Sequence, residues 1–375
     1  MAVALGTVTT YGLTEGVPIS IDPFLQMLSP TETPLQNGRG SDGRLVLGSS
    51  PVDQKKFEWQ DDSIDTPRST LAATVTTGGL VLTVASGEQH RFGTGHVLMV
   101  GDEQMRVTGY PGTDQLTVTR AFNATTAGTL ASAAQVLDLG TFITEGSDPD
   151  AARSSDWNNR YNMVQVLGPD QMAVSGTENI IRKYGLNMSM LDYQAAKRLI
   201  AMTISFEQSL IYGVRLEDSS AGWRQTGGIK WHITNNGTVN SAGGAITEAR
   251  IVDMQQSLYD VGGSPNIAML TATQKRKISA LDSSSIRLGR QDNGRGQIVD
   301  YIDSDFGRMD FLVNRWCLNS DIFMFKSGQA KIRVLRPMQL EALAKTGDSR
   351  KAQLVGEKGL QFNAASHAGQ FTGLT

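Results

Sequence analysis

Residues 1–150 of this chain are rich in glycine and small polar residues, and large apolar side chains are sparse among them. The whole chain holds 40 glycines in 375 residues, above the usual share of about 7%, and such an excess is typical of turns and β-structure. A segment with few apolar residues cannot offset the entropy that it loses on becoming ordered. We therefore expect the N-terminal part to become ordered against neighbouring copies, as in a structural protein rather than an enzyme.

Length, charge and cysteine content limit the remaining possibilities. At 375 residues the chain exceeds one domain of about 100–200 residues, which predicts two or three domains. A formal net charge of −3 gives no basic excess, so only weak, non-specific contact with DNA is expected. Cys317 is the only cysteine, which excludes an intramolecular disulfide and a multi-cysteine metal site. Because we find neither a signal-peptide pattern nor an apolar run of membrane-spanning length, we expect synthesis in the cytoplasm and no membrane partner.

The N-terminal residues divide into segments of different pattern. Residues 1–50 contain one short apolar cluster, FLQML, followed by a coil rich in proline and glycine, and are predicted to form an arm. Residues 51–150 are predicted to be an extended loop region with a β-insertion at about residues 70–139, where apolar side chains alternate. The alternating positions are Leu80, Leu82 and Val84, then Met105 and Val107, then Leu116 and Val118. Since the insertion has its own apolar pattern, dependence on neighbouring copies is expected only for residues 1–68 and 141–156.

The strongest helix signal lies at residues 189–212. Ser189 is a suitable N-cap, Gly213 ends the pattern, and apolar side chains recur at steps of three and four residues. These apolar positions are Leu191, Ala195, Leu199, Met202, Phe206 and Leu210. At 1.5 Å per residue the helix is about 36 Å long, which is enough to span a domain.

The C-terminal half reads as an α/β unit followed by strands. A helix is predicted to begin at Thr247, a buried strand to follow at residues 266–270, and a second helix to begin at Thr271, where Gln274 completes a capping box. From residue 310 to the end the pattern is that of strands, with no cluster of catalytic residue types.

Motifs of common enzymes are missing or out of context. The four histidines show no pair at metal-ligand spacing, and neither a GxSxG elbow nor a GxxxxGK[ST] loop occurs. A GxGxxG pattern at Gly38, Gly40 and Gly43 lies in a coil between prolines rather than between a strand and a helix, so chance explains it better. The sequence therefore predicts no catalytic residue, no cofactor and no metal.

Four stretches carry a resemblance to a known family. They are FEWQDDSID at residues 57–65, QVLGPDQMAVSGTENIIRKYG at 165–185, the helix segment LDYQAAKRLIAMTISFEQSLIYG at 191–213, and LAKTGDSRKAQLVGEKGLQFNAASHAGQFTGL at 343–374. In this order and spacing the chain resembles the major capsid proteins of tailed bacteriophages. Residues 70–139 also resemble a small β-module of phage virion proteins, except that AFNATTAG follows Arg120 where that module has a glycine and a histidine.

The resemblance implies an α+β fold, the tailed-phage major capsid fold, with a defined domain order. Residues 1–50 would form the N-terminal arm and 51–150 the extended loop with the small antiparallel β-module. Residues 151–213 and 331–375 would form a peripheral domain that carries a long spine helix at about 189–212. Residues 214–330 would form an axial α/β domain.

The resemblance also implies a function. Copies of the chain would assemble into pentamers and hexamers of an icosahedral phage head that encloses double-stranded DNA. The protein would reside in the virion capsid after synthesis in a bacterial host, and its further partners would be portal, scaffold and decoration proteins.

Seven residues are candidates for contacts between subunits. Aromatic side chains dominate many interfaces, so Phe57 and Trp59 come first, with packing on their own spine helix as the alternative. The acidic side chains of Asp61, Asp62 and Asp65 are expected to pair with arginines of an adjacent subunit. Arg287 and Arg290 are candidates for contact with nucleic acid or an acidic neighbour, and a solvated loop is the favoured alternative.

Other classes of protein stay open at this point. An encapsulin-like compartment shares the capsid fold, and a tail or decoration protein is a further alternative. A secreted glycan-binding or hydrolytic β-protein would explain the glycine-rich strands, but it predicts a signal peptide and either clustered aromatic residues or paired catalytic carboxylates, and neither is evident in the sequence.

Overall fold

The computed structural model describes residues 29–38, 45–62, 66–142, 146, 157–181, 183, 188–241, 243–281, 287–289 and 301–375. Contacts divide the chain into two units: Met1–Trp59 with Arg160–Thr375, and Gln60–Asn159. The helices are α1 (Pro34–Asn37), α2 (Gly176–Ile180), α3 (Met190–Tyr212), α4 (Ile229–Asn236), α5 (Glu248–Asp260) and α6 (Ala272–Ser279).

The strands follow in chain order. They are β1 (Leu47–Pro51), β2 (Lys56–Asp61), β3 (Arg68–Thr70), β4 (Val81–Thr83), β5 (His96–Val100), β6 (Glu103–Gly112), β7 (Gln115–Thr119), β8 (Gln135–Thr141), β9 (Asn158–Met163), β10 (Gln165–Ser175), β11 (Leu216–Asp218), β12 (Trp223–Gln225), β13 (Thr238–Asn240), β14 (Ile267–Leu270), β15 (Arg287–Gly289), β16 (Tyr301–Ser304), β17 (Gly307–Val313), β18 (Ile322–Phe325), β19 (Ala330–Ala342), β20 (Ser349–Phe362) and β21 (Gly369–Phe371).

The unit Gln60–Asn159 contains a six-stranded antiparallel sheet in the order β3-β8-β5-β6-β7-β4. A bridge between Leu71 and Val84 joins its two outer strands, so the sheet closes on itself. Most of the alternating residues point into this small core: Leu82, Val84, Met105, Val107, Leu116 and Val118. Leu80 is an exception at 56% exposed, because β4 begins only at the next residue.

Helix α3 packs on a four-stranded sheet in the order β1-β19-β20-β10. Ser189 caps it by accepting a hydrogen bond from the Asp192 N–H, and Gly213 follows its last residue, as the sequence predicts. Met202, Phe206 and Leu210 of the predicted stripe are buried, but Leu199 is exposed and Leu191 and Ala195 are only partly buried. The C-terminal half of the helix therefore contributes most of its contact with the core.

A second, seven-stranded sheet has the order β13-β21-β18-β14-β17-β16-β15 and is mixed parallel and antiparallel. Helices α5 and α6 begin at caps made by Thr247 and Thr271, where the sequence places them, and all four residues of β14 are buried. The last strand, β21, lies between β13 and β18. The chain end thus returns to this sheet rather than to the four-stranded one.

Part of the predicted arm packs within its own chain. Leu35 of α1 is fully buried in the main core, and β1 pairs in parallel with β19. The expectation that all of residues 1–68 need neighbouring copies is therefore wrong for these segments, because their apolar and backbone groups find partners in the same chain. Residues 1–28 and 147–156, for which the same expectation was made, lie outside the described residues.

Candidate inter-subunit surfaces

Phe57 and Trp59 alternate along β2 and point inward. They are 6% and 9% exposed, their ring centroids lie 6.0 Å apart, and they form a small cluster with Val164. Leu335 of β19 packs against this cluster, and the His232 ring lies 5.8 Å from Trp59. Both side chains thus pack in their own chain, against β19 and α4. A contact with a neighbouring copy remains a prediction for them, and little of their surface is left to make it.

The charged candidates lie at several places along the chain. Asp61, at the end of β2, is half-buried and Asp62 is exposed, whereas Asp65 and Arg290 lie outside the described residues. Arg287 begins β15, but its side chain is outside the described part of the structure. Their pairing with a neighbouring subunit therefore stays a prediction.

A stack of cationic and aromatic side chains lies where β2 and β9 meet α4. The Arg215 guanidinium lies 3.8 Å from the Tyr161 ring centroid and 4.4 Å from that of Trp231. The same side chain donates a hydrogen bond of 3.1 Å to the Tyr161 carbonyl, and the Lys56 Nζ lies 4.3 Å from the Tyr161 ring. Cation–π contacts of this kind hold strands β2 and β9 against helix α4. Sequence reasoning missed the stack because its members come from four separate parts of the chain.

Next to this stack, Asn162 and His232 form a buried polar centre. The Asn162 Nδ2 donates to the carbonyls of Gly227 and Leu360 and lies 3.1 Å from the His232 Nε2. Burial lowers the pKa of His232 to about 3, with the positive charges of Arg215 and Arg160 acting in the same direction. The imidazole is therefore neutral near pH 7, which suits a position between aromatic rings.

One exposed apolar surface follows directly after helix α3. The hairpin β11–β12 places Glu217 opposite Arg224. Glu217 forms an ion pair with Lys55 at 3.0 Å, and Arg224 forms one with Glu357 at 3.2 Å. Since alternate residues of a strand point to opposite faces, the other face carries Leu216 and Trp223, and Trp223 is 67% exposed. We refer to Val214, Leu216 and Trp223 as the hairpin surface; all three are exposed.

A second candidate surface is a groove of about 320 Å³ between β10 and the first turns of α3. Its apolar lining includes Met172, Val174 and Met190, and its polar lining includes Glu178 and Arg198. The neighbouring Ile180, at the end of α2, is exposed. Exposed aliphatic side chains such as Ile180 beside a groove are common in protein interfaces.

The described residues allow metal binding and thiol chemistry to be judged. Among them, no group of three or more His, Cys, Asp or Glu side chains is placed to hold a metal ion. Burial raises the pKa of the Cys317 thiol, which is therefore protonated and inert at neutral pH. Within the same described ranges, no helix is both long and apolar enough to cross a membrane.

The fold is that of capsid shell subunits, as solved structures show. The chain is similar to a structure from Mycobacterium phage Cain, with a TM-score of 0.54, 10% identity and coverage of 98% of this chain and 99% of that one. It is similar to one from Mycobacterium phage Bobi at a TM-score of 0.53 and 11% identity, with 98% and 99% covered. A capsid of an empty GTA particle gives a TM-score of 0.56 at 9% identity, with 99% and 100% covered.

A family model described as the SU10 major capsid protein matches residues 5–375, and the chain belongs to this family. No curated protein sequence matches it significantly. The protein is therefore a structural subunit of a capsid shell, and that shell consists of multiple copies of the chain. The resemblance seen in the sequence is confirmed. Family membership also decides against the encapsulin-like compartment and the tail or decoration protein.

Proposed function

We propose that copies of this chain assemble into pentamers and hexamers that close into an icosahedral head around double-stranded DNA. The match of the major capsid family over residues 5–375 carries this proposal. A closed shell needs each subunit to present different surfaces to its neighbours on opposite sides. The hairpin surface and the groove beside α3 are two different surfaces of one subunit that suit such contacts.

The formal net charge of −3 supports the same function. A strongly basic wall would hold a packaged genome by many phosphate contacts, whereas this chain is suited to weak, non-specific contact. We also propose that the protein acts without catalysis, that it is made in the cytoplasm of a bacterial host, and that portal, scaffold and decoration proteins are its further partners.

Assembly of the full chain tests this function. The purified protein is examined by light scattering and negative-stain microscopy, alone and with linear double-stranded DNA. We expect closed shells, or pentameric and hexameric rings, that form at the same concentration with or without DNA. A protein that stays monomeric at all concentrations, or that assembles only as a filament on DNA, contradicts the proposal.

A further inference from the structure

Glu207 is a fully buried residue of helix α3, and its carboxyl group lies in the apolar core. It lies on the same helix as the buried Phe206, Leu210 and Ile211, which contribute to the main core. Burial raises the pKa of this carboxyl, and hydrogen bonds from Leu35, Gln36 and Asn314 act against that rise. Burying a carboxylate costs free energy of folding unless hydrogen-bond donors surround it. The donors that surround Glu207 therefore indicate its role.

Most of the donors to Glu207 belong to the N-terminal arm. Its Oε1 accepts the Leu35 N–H at 2.7 Å, and its Oε2 accepts the Gln36 N–H at 3.2 Å and the Gln36 Nε2 at 3.0 Å. The Gln36 Nε2 also donates to the Thr203 carbonyl, one turn earlier on α3, at 3.0 Å. Thr33 makes no side-chain cap at the start of α1, so Glu207 supplies from another element the acceptors that these N–H groups need.

The remaining donor connects the same carboxylate to the segment after β17. The Nδ2 of the buried Asn314 donates to Oε1 at 2.9 Å, and its Oδ1 accepts the Trp316 N–H at 2.9 Å. The Trp316 indole in turn donates to the Glu32 carbonyl at 2.8 Å. The arm is thus held at two points, Glu32 and residues 35–36, by groups that one short network positions.

We propose that Glu207 is a docking site for the arm, which fixes residues 33–37 on α3 in the one position that assembly of the shell requires. An apolar side chain at 207 would bury the same surface without desolvating a charge. A buried ionic group often adds no more stability than apolar side chains of similar volume, and in some proteins it fixes one geometry instead. The carboxylate therefore selects one register of the arm, and correct assembly depends on that register.

Amide hydrogen exchange in the full-length, unassembled subunit tests the docking. Glu207→Gln keeps the shape of the side chain but places an amide NH₂ among donors. We expect exchange at Leu35 and Gln36 to become at least about tenfold faster, since a lost hydrogen bond to a charged group has that effect, with little change in β14 or β18. Gln208→Ala, at the exposed neighbouring position, is the matched control and should exchange like the wild type.

A second readout separates the docking from simple stability. Shell yield is compared for the wild type, E207Q, Q208A and Gln36→Ala, which removes the side-chain contact and leaves the carboxylate in place. Yields are compared at a temperature at which every variant is fully folded. Under that condition we expect E207Q to give a lower shell yield than Q208A, and Q36A to give an intermediate yield. Unchanged exchange at Leu35 and Gln36 in E207Q overturns the docking site, and lost protection with a normal yield overturns its role in assembly. The yield measurement rests on the proposed function. If the wild type forms no shells, that function fails, while the exchange measurement still decides whether Glu207 docks the N-terminal arm.

Discussion

Glu103 and Arg120 form a buried ion pair inside the β-module, with the Arg120 Nε 2.6 Å from the Glu103 Oε1 and the Nη2 2.6 Å from Oε2. The carboxylate also accepts the N–H groups of Ala121 and Gly128, and the guanidinium donates to the carbonyls of Thr76 and Gly79. The pair therefore connects three segments of the chain: the start of β6, residues 120–128 and residues 76–79. It holds the loop after Arg120, where Ala121 has a φ of +55°, a left-handed conformation that is costly for a residue with a side chain.

Arg120→Ala should destabilise the β-module strongly, because it leaves the Glu103 carboxylate buried without its partner. Breaking such a pair costs about 3–5 kcal/mol of the free energy of unfolding. We expect faster hydrogen exchange in β6, β7 and the loop after Arg120 of the full chain. Arg106→Ala, at an exposed position of β6, is the control. Equal exchange in the two variants would show that the pair does not hold the loop.

His232 should make the subunit sensitive to acid. Its pKa falls from about 6.5 in the unfolded chain to about 3 in the folded one, so only the unfolded chain takes up this proton between those values. The free energy of unfolding should therefore fall as the pH drops below about 6.5, by up to about 1.4 kcal/mol per pH unit. Urea unfolding of the subunit between pH 5 and 8 measures this slope.

A variant separates this effect from other acid-sensitive groups. His232→Gln keeps a polar side chain beside Asn162 but cannot titrate, so its stability should depend less on pH than that of the wild type. Identical slopes for His232→Gln and the wild type would exclude His232 as the cause.

Phe57→Ala should destabilise the isolated subunit by about 3–5 kcal/mol, because the ring fills a buried cluster with Trp59 and Val164. Gly359→Ala should also destabilise the subunit, since its added Cβ would lie 2.8 Å from the Met163 carbonyl oxygen and 2.9 Å from the Phe57 ring. Thermal unfolding of unassembled protein measures both. If Phe57→Ala affects assembly alone and leaves the subunit as stable as the wild type, the ring serves a neighbouring copy instead.

Charge reversal at Asp61 and Asp62 should impair assembly more than subunit folding. Asp62 is exposed and Asp61 is half-buried, and repulsion from arginines of an adjacent subunit would weaken the contact. Shell yield and thermal unfolding are measured for the double variant that combines Asp61→Lys and Asp62→Lys. The control is the neutral double variant that combines Asp61→Asn and Asp62→Asn. An unchanged shell yield on charge reversal would exclude this contact.

Trp223→Ser should leave the unfolding free energy within about 0.5 kcal/mol of the wild type, because the side chain is mostly exposed. The same change should lower shell yield, since an exposed tryptophan on a fixed hairpin suits an interface. Trp223→Phe should restore much of the yield by keeping an aromatic ring. Normal shells from Trp223→Ser would show that the hairpin surface faces solvent in the assembly.

Sequence patterns alone identified the elements that depend on local forces. The caps at Ser189, Thr247 and Thr271 are each found where the sequence places them, because a cap and its hydrogen bond lie within one helical turn. The inward side chains of β4, β6 and β7 follow from a period of two in the same way. The order of these elements along the chain also carries the resemblance to phage capsid proteins, since that order can be read from local patterns.

Only the tertiary structure decided which distant groups meet. The sequence marked Phe57 and Trp59 as apolar strand residues, but alternation cannot tell whether a neighbouring copy or β19 covers that face. Nor could a helical period assign a role to Glu207, whose main partner lies 172 residues away along the chain. Such contacts arise because a buried polar group must find its partners in space, and local pattern holds no information about which part of the chain folding brings there.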